Sequence, residues 1–186
     1  MAEATHDSIR DPGAVATQRL FFALWPTQVL QRQWYQQTGS MLAGRPGRQV
    51  AAHNLHLTLV FLGSVSNPVR QCLEQAVADI HSAPFALMFD RVDYWRKPQV
   101  LWLGCSELPA PLELLVHALR AKATDCGLTP DTRPYRPHLT VARKVRNDPG
   151  DFLLTPLLWP VERFALVESL SQSEGVFYRP MRMWDL

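Results

Sequence analysis

This sequence of 186 residues has no large excess of charge of either sign, because it contains 19 basic and 17 acidic residues and has a net charge of +2. A near-neutral chain is excluded from the class of proteins that coat nucleic acid by neutralising many phosphates, so any contact with nucleic acid must be local. Long apolar runs are also missing. The longest, Leu20 to Trp25, is far shorter than the ~20 residues that a membrane helix needs, and we therefore expect no membrane association.

Cysteine is scarce, with three residues and no CxxC pair. Cys72, Cys105 and Cys126 are widely spaced, which predicts buried thiols in a reducing compartment and neither a disulfide framework nor a zinc site. Residues 1–18 are polar and lack the apolar core of a signal peptide. We expect a mobile polar tail at 1–18, a single bilobal domain at 19–186, and a cytoplasmic protein.

Glycine-rich phosphate loops are absent as well, because neither GxGxxG nor GxxxxGK[ST] occurs. The sequence therefore lacks the usual motifs for binding a nucleoside triphosphate or a dinucleotide. What is present is a mixture of strand and helix patterns. The order predicted is strand, helix, strand, helix, two strands, helix and three strands. Hairpins with segregated helices favour an α+β fold over a doubly wound parallel sheet.

Two of these predictions bear on later results. Phe85 to Trp95 is predicted as one strand that forms a hairpin with Val100 to Cys105. Asn67-Pro68 is predicted to start a helix, with the asparagine as cap.

A short motif occurs twice, as His56-Leu57-Thr58-Leu59 and as His138-Leu139-Thr140-Val141. The two-residue period of a strand puts the histidine and the threonine of each copy on one face and the apolar residues on the other. A single histidine on such a strand is usually a structural residue. Two copies in corresponding places instead favour a pseudo-twofold arrangement, in which both pairs face one cleft.

Two imidazoles across a cleft suit phosphoryl transfer by a paired acid and base, because the ordinary histidine pKa of about 6.5 allows either role near neutral pH. Thr58 and Thr140 are predicted to hydrogen-bond the phosphate oxygens. Arg143 is a candidate for a fixed positive charge there. Strand parity places it on the wrong face, so this role requires a bulge or the end of the strand.

A metal site is not expected. His53 and His56 have an HxxH spacing that suits neither a strand face nor a helical HExxH motif, and no third ligand is evident.

The motifs carry a family resemblance. RLFFALWP near the start, NLHLTLVFLG and RPYRPHLTVAR around the two copies, and SLSQSEGVFYRPMRMW near the end resemble the 2H phosphoesterase superfamily. Within it, the bacterial branch of RNA 2′,3′-cyclic phosphodiesterases, long labelled 2′-5′ RNA ligases, is most similar. The resemblance extends from Arg19 to Trp184.

The resemblance implies a fold of two pseudo-symmetric lobes of antiparallel sheet, with helices outside and a central active-site cleft. It implies that His138 activates water and that His56 protonates the departing 3′ oxygen of an RNA 2′,3′-cyclic phosphate end, which yields a 2′-phosphate. Thr58, Thr140 and Arg143 would hold the phosphate, and Phe22 would stack on a base.

We expect a monomer without a cofactor, and a reverse reaction that forms 2′-5′ linkages. Two alternatives stay open. One keeps the site but changes the substrate to a small cyclic nucleotide or an ADP-ribose derivative. The other is a non-catalytic module that binds RNA ends.

Overall fold

The computed structural model of the chain describes residues 16–45, 47–146, 154–173 and 175–186. The helices are α1 (Gln28–Leu42), α2 (Asn67–Ala76) and α3 (Ala110–Asp125), with a 3₁₀ turn at Ala52–Asn54. The strands are β1 (Thr17–Leu24), β2 (Arg48–Gln49), β3 (Leu57–Ser66), β4 (Phe85–Phe89), β5 (Arg91–Trp95), β6 (Val100–Gly104), β7 (Leu139–Arg143), β8 (Leu157–Val161), β9 (Arg163–Gln172) and β10 (Gly175–Asp185).

One antiparallel sheet runs through the molecule in the order β10-β9-β1-β3-β7-β6-β5, and β2 pairs with β7. Its two halves join where β3 meets β7, at the residue pair Leu57 and Leu139. The main hydrophobic core combines apolar residues of this sheet and of the helices. The α+β class with two antiparallel lobes and outer helices is thereby confirmed.

Helices α1 and α2 begin where their capping chemistry predicts, within one residue. The Thr27 hydroxyl accepts a hydrogen bond from the amide of Leu30 at 3.3 Å and caps α1. The cap of α2 is Ser66, one residue before the predicted Asn67, with Pro68 in the first turn. No helix in the described ranges is long and apolar enough to cross a bilayer.

One strand prediction is wrong, and two strands were not predicted. Phe85 to Trp95 forms two strands in different sheets, which separate at Asp90, whose carboxylate accepts a hydrogen bond from the amide of Ser106 at 2.8 Å. The second of them, β5, forms the predicted hairpin with β6. The second strand of the small sheet, β8, carries Pro160 opposite Ala86. Proline has no amide hydrogen to donate to a neighbouring strand, so the sequence of this edge strand did not predict a strand. The short strand β2 was also missed.

Strand β1 begins at Thr17, and both Thr17 and Gln18, which fall within the predicted tail, pair with β3. Residues 1–15, which make up most of the predicted tail, lie outside the described residues.

The cysteine prediction is wrong for two of the three residues. Cys72 of α2 and Cys126, which caps the end of α3, form a disulfide across a sequence separation of 54, and Cys105 is a free thiol. The pairing depends on how α2 and α3 pack, which residue spacing does not reveal. The argument from cysteine usage for a reducing compartment therefore no longer holds.

Candidate active site

Both histidines lie directly before the central strands, His56 before β3 and His138 before β7. The pair Leu57 and Leu139 fixes the antiparallel register at this point. Continuing that register puts His56 opposite Thr140 and Thr58 opposite His138. The two predicted motifs therefore meet at the junction of the two half-sheets.

The two imidazoles are held in the same way. His56 Nδ1 lies 2.7 Å from the carbonyl oxygen of Asn54, and His138 Nδ1 lies 2.8 Å from that of Arg136. A carbonyl only accepts, so each Nδ1 carries the proton and donates it. In the neutral ring Nε2 is then the free base, and His56 Nε2 accepts from the Thr58 hydroxyl at 3.1 Å.

Aromatic rings surround both histidines. Trp25 stacks on His56 with ring centroids 5.6 Å apart and planes at 15°, and the ring of Tyr178 meets it edge-on at 4.8 Å. On the other side, Trp95 lies edge-on to His138 at 4.6 Å. These rings leave both histidines only half-exposed to water, which strengthens electrostatic interactions in the cleft.

Burial lowers both histidine pKa values. Burial is the main cause that lowers the pKa of His56 to about 4; the charges of His138 and Arg143 act in the same direction, and the Asn54 carbonyl opposes them. Burial also lowers the pKa of His138, with the Arg136 carbonyl opposing and Arg143 assisting. Both rings are therefore neutral at pH 7 in the free protein.

Arg143 meets the condition that the sequence imposed on it. The register between β6 and β7 pairs Leu101 with Ala142 and Trp102 with Thr140, so one residue of β7 is skipped as a bulge. Arg143 then pairs with Val100, which lies on the same face of β6 as Trp102. The bulge thus returns Arg143 to the face of Thr140, at the end of β7, where it is exposed.

The prediction for Phe22 is wrong. Its side chain is fully buried in the main core, edge-on to Phe164 and Trp184 at 6.2 and 6.3 Å. Successive residues of a strand point to opposite faces, so its neighbour Phe21 faces the cleft instead, with its ring 5.0 Å from that of His56. Residues Leu20 to Leu24 of β1 are all apolar, so the strand's own sequence does not show which of the two phenylalanines faces the cleft.

Asn54 is a site residue that sequence reasoning missed. Its side chain donates to the carbonyl of Val176 at 2.7 Å and accepts from the amide of Tyr178 at 3.0 Å. These two bonds hold the β9–β10 hairpin, which pairs with β1 only as far as Glu168, against the cleft. The same residue thus fixes the His56 ring through its carbonyl and one wall of the site through its amide.

Tyr135, in the loop before the second motif, supports the first motif from behind. Its hydroxyl donates to the Thr58 carbonyl at 2.9 Å, and burial raises its pKa well above the ordinary value. A neutral, donating phenol at this point fixes the backbone of β3 beside His56.

No group of three or more histidine, cysteine or acidic residues in the described ranges is arranged to hold a metal ion. His53, the other histidine near the cleft, is exposed and lies against Phe177, with ring centroids 5.3 Å apart.

Comparison with known proteins gives a consistent result. Residues 28–172 match the model of the 2′-5′ RNA ligase superfamily. The RNA 2′,3′-cyclic phosphodiesterase of Escherichia coli strain K12 is 33% identical over 173 residues, which is 91% of this chain and 97% of that protein. The enzyme of the same name from Thermus thermophilus is 29% identical, with 90% of each chain covered.

Solved structures agree. The crystal structure of E. coli LigT complexed with 3′-AMP superimposes with a TM-score of 0.81 at 31% identity, covering 92% of this chain and 99% of that one. A crystal structure described as a phosphoesterase gives a TM-score of 0.82 at 31% identity, with the same coverage.

Proposed function

This chain belongs to the 2′-5′ RNA ligase superfamily, and on that premise we propose that it hydrolyses the 2′,3′-cyclic phosphate ends of RNA to 2′-phosphomonoesters without a metal ion. The observation that carries the proposal is the pair of identically held imidazoles, each with Nδ1 on a carbonyl and Nε2 left as the reactive atom.

The proposed reaction needs one base and one acid. Water attacks the phosphorus and gives its proton to Nε2 of His138. The bond from phosphorus to the 3′ oxygen breaks, and His56, protonated at Nε2, gives that proton to the departing oxygen. The hydroxyls of Thr58 and Thr140 and the guanidinium of Arg143 hold the non-bridging oxygens, where charge concentrates.

A low pKa favours the role of His138 as the base and opposes the role of His56 as the acid. The neutral state of His138 at pH 7 suits a base. His56 must be protonated to act as the acid, although its pKa in the free protein is about 4. The bound phosphate anion raises the pKa of His56, because a negative charge in contact with an imidazolium stabilises its protonated form.

Phosphate NMR tests the activity directly. The protein is incubated in excess EDTA with a nucleoside 2′,3′-cyclic phosphate and with a short RNA that ends in one. We expect the 2′-phosphomonoester to appear in both, faster from the RNA. A 3′-phosphomonoester would overturn the assignment of acid and base, and absence of any product would overturn the hydrolase.

Variants identify the residues. We expect His56→Ala and His138→Ala each to lower turnover by about 10²- to 10⁴-fold, while binding of a 2′-phosphate product persists. His117→Ala is a matched control, since His117 is an exposed residue on α3. If the wild type has no turnover and the histidine variants lose only affinity, the protein is instead a module that binds RNA ends.

We also propose that the enzyme is a monomer. Both histidine motifs come from the same chain, so the site requires no second copy. Sedimentation at assay concentration tests this point, and a dimer whose dissociation abolishes turnover would contradict it.

A further inference from the structure

An aromatic residue is exposed next to the site without a structural reason. The side chain of Phe61 is 64% exposed, although it lies on a central strand between residues that are mostly buried. Its ring centroid is 6.1 Å from that of Phe21, which is itself 5.0 Å from His56. Aromatic rings thus continue from the catalytic histidine out along the cleft face.

Irregularities in β3 place Phe61 on this face. The register pairs Phe21 with Phe61 and Ala23 with Thr58, so β3 carries an extra residue between them. Without that bulge, the two-residue period would point Phe61 into the core with Leu57 and Leu59. The distortion puts a large apolar side chain into water, which a purely structural strand has no need to do.

A positive charge lies beyond the rings. Arg19 is two residues from Phe21 on β1 and therefore shares its face. It is exposed, pairs in register with Ser64 of β3, and forms no ion pair with any residue in the described ranges. The surface next to Phe61 is thus polar and basic.

We propose that Phe61 and Arg19 form a subsite for the second nucleotide of the RNA, counted from its cyclic phosphate end. Phe61 stacks on the base, and Arg19 contacts a backbone phosphate. The inference rests on the proposed function and deepens it, since this subsite selects RNA chains over single nucleotides.

The chemistry favours RNA over a protein partner. Aromatic faces with adjacent basic groups are the usual means of holding single-stranded nucleic acid, and stacking accepts any base. A protein interface would need a contiguous apolar patch, whereas the neighbours of Phe61 on this face include Arg19 and Ser64.

The test compares substrates of different length. We expect the wild-type protein to have a higher kcat/KM for a dinucleotide that ends in a 2′,3′-cyclic phosphate than for the mononucleotide. Phe61→Ala should lower kcat/KM for the dinucleotide by about 5- to 100-fold, the usual effect of losing one stacked base. The mononucleotide value should not change, and Phe61→Trp should retain the preference for the dinucleotide.

Matched controls separate this effect from general damage. Leu114→Ala removes another exposed apolar side chain, 68% exposed on α3, and should leave both substrates unaffected. Equal loss on both substrates in Phe61→Ala, or no preference for the dinucleotide in the wild type, would overturn the subsite while leaving the proposed hydrolase intact.

Arg19 has its own readout. Arg19→Gln should weaken the salt dependence of kcat/KM on the dinucleotide, because one lost phosphate contact lowers the slope of the log–log plot by about 0.7 for single strands. Arg32→Gln, an exposed arginine on α1, should not change the slope. If the wild type turns over neither substrate, the same comparisons are made on binding of 2′-phosphate-ended di- and mononucleotides. Equal affinities there would overturn the subsite as well.

Discussion

Leu57 and Leu139 lie opposite each other and form the residue pair through which the two half-sheets meet. Both side chains are completely buried. Because adjacent residues of a strand point to opposite faces, burying this pair in the core turns His56, Thr58, His138 and Thr140 to the cleft. The spacing between the two histidines is therefore set by core packing, which is rigid.

The cross-strand register predicts equivalent roles for the two threonines. We expect Thr58→Val and Thr140→Val each to lower kcat by about 10²-fold, the usual effect of removing one donor to developing charge. Valine keeps the shape and removes only the hydroxyl. Thr124→Val is the control, because among the described residues the Thr124 hydroxyl bonds only the Arg120 carbonyl of its own helix. Wild-type rates in both cleft variants would exclude threonine contacts with the phosphate.

The repeated motif made the centre of the site predictable from sequence. A two-residue period assigned His56 and Thr58 to one face, and the structure keeps them there, with Nε2 of the ring 3.1 Å from the hydroxyl. The sequence also predicted that Arg143 could reach the cleft face only if a bulge preceded it or the strand ended there, and β7 has such a bulge.

What failed depended on information beyond local pattern. Phe21 and Phe22 are identical in type, and only the pairing of β1 with β3 decides which one faces His56. Asn54 acts through a hairpin more than 120 residues away in the chain. Long-range contacts of this kind leave no periodic signal in a single sequence.

The hydrogen bonds of Asn54 predict a positioning role. In Asn54→Ala, the carbonyl that holds His56 stays, but both bonds to β10 are lost and Tyr178 is released. Water then reaches His56, so we expect its pKa to rise from about 4 toward the ordinary value. Turnover should fall by about 10- to 100-fold as the geometry loosens.

The imidazole C2–H signals in proton NMR measure that pKa directly, without reference to activity. Asn67→Ala is a suitable control, because the Asn67 side chain bonds Arg70 on the surface of α2 and no other residue in the part of the chain that the structure describes. A His56 pKa that stays near 4 in Asn54→Ala would show that the hairpin does not shield the ring.

Burial of neutral His56 also predicts sensitivity to acid. Its folded pKa, about 4, lies below the unfolded value of about 6.5, so the unfolded state binds more protons between these pH values. Stability is therefore lost as the pH falls from about 6.5 to about 4, by about 3 kcal/mol for this one group. Urea unfolding of the wild type and of His56→Gln across that range measures the difference. Parallel pH profiles for the two proteins would contradict it.

The disulfide between α2 and α3 predicts a redox dependence of stability that is separate from catalysis. Closing a loop with a sequence separation of 54 stabilises the native state by up to about 4 kcal/mol on the chain-entropy model. We expect Cys72→Ser and Cys126→Ser to lose the same amount, and the double variant no more than either single one. Turnover at 25 °C should be unchanged, because the helices pack against the sheet on the face opposite the histidines.

Thiol counting checks the bond itself. Protein denatured without reductant should alkylate at one cysteine, Cys105, and after reduction at all three. Denaturation is needed because burial raises the pKa of Cys105 to about 11 and suppresses its reaction in the folded state. Dithiothreitol reduces the disulfide, as a reducing compartment would. Wild-type protein in dithiothreitol should therefore unfold at the same urea concentration as Cys72→Ser. Equal stability of the oxidised and reduced forms would mean that the bond does not constrain the chain.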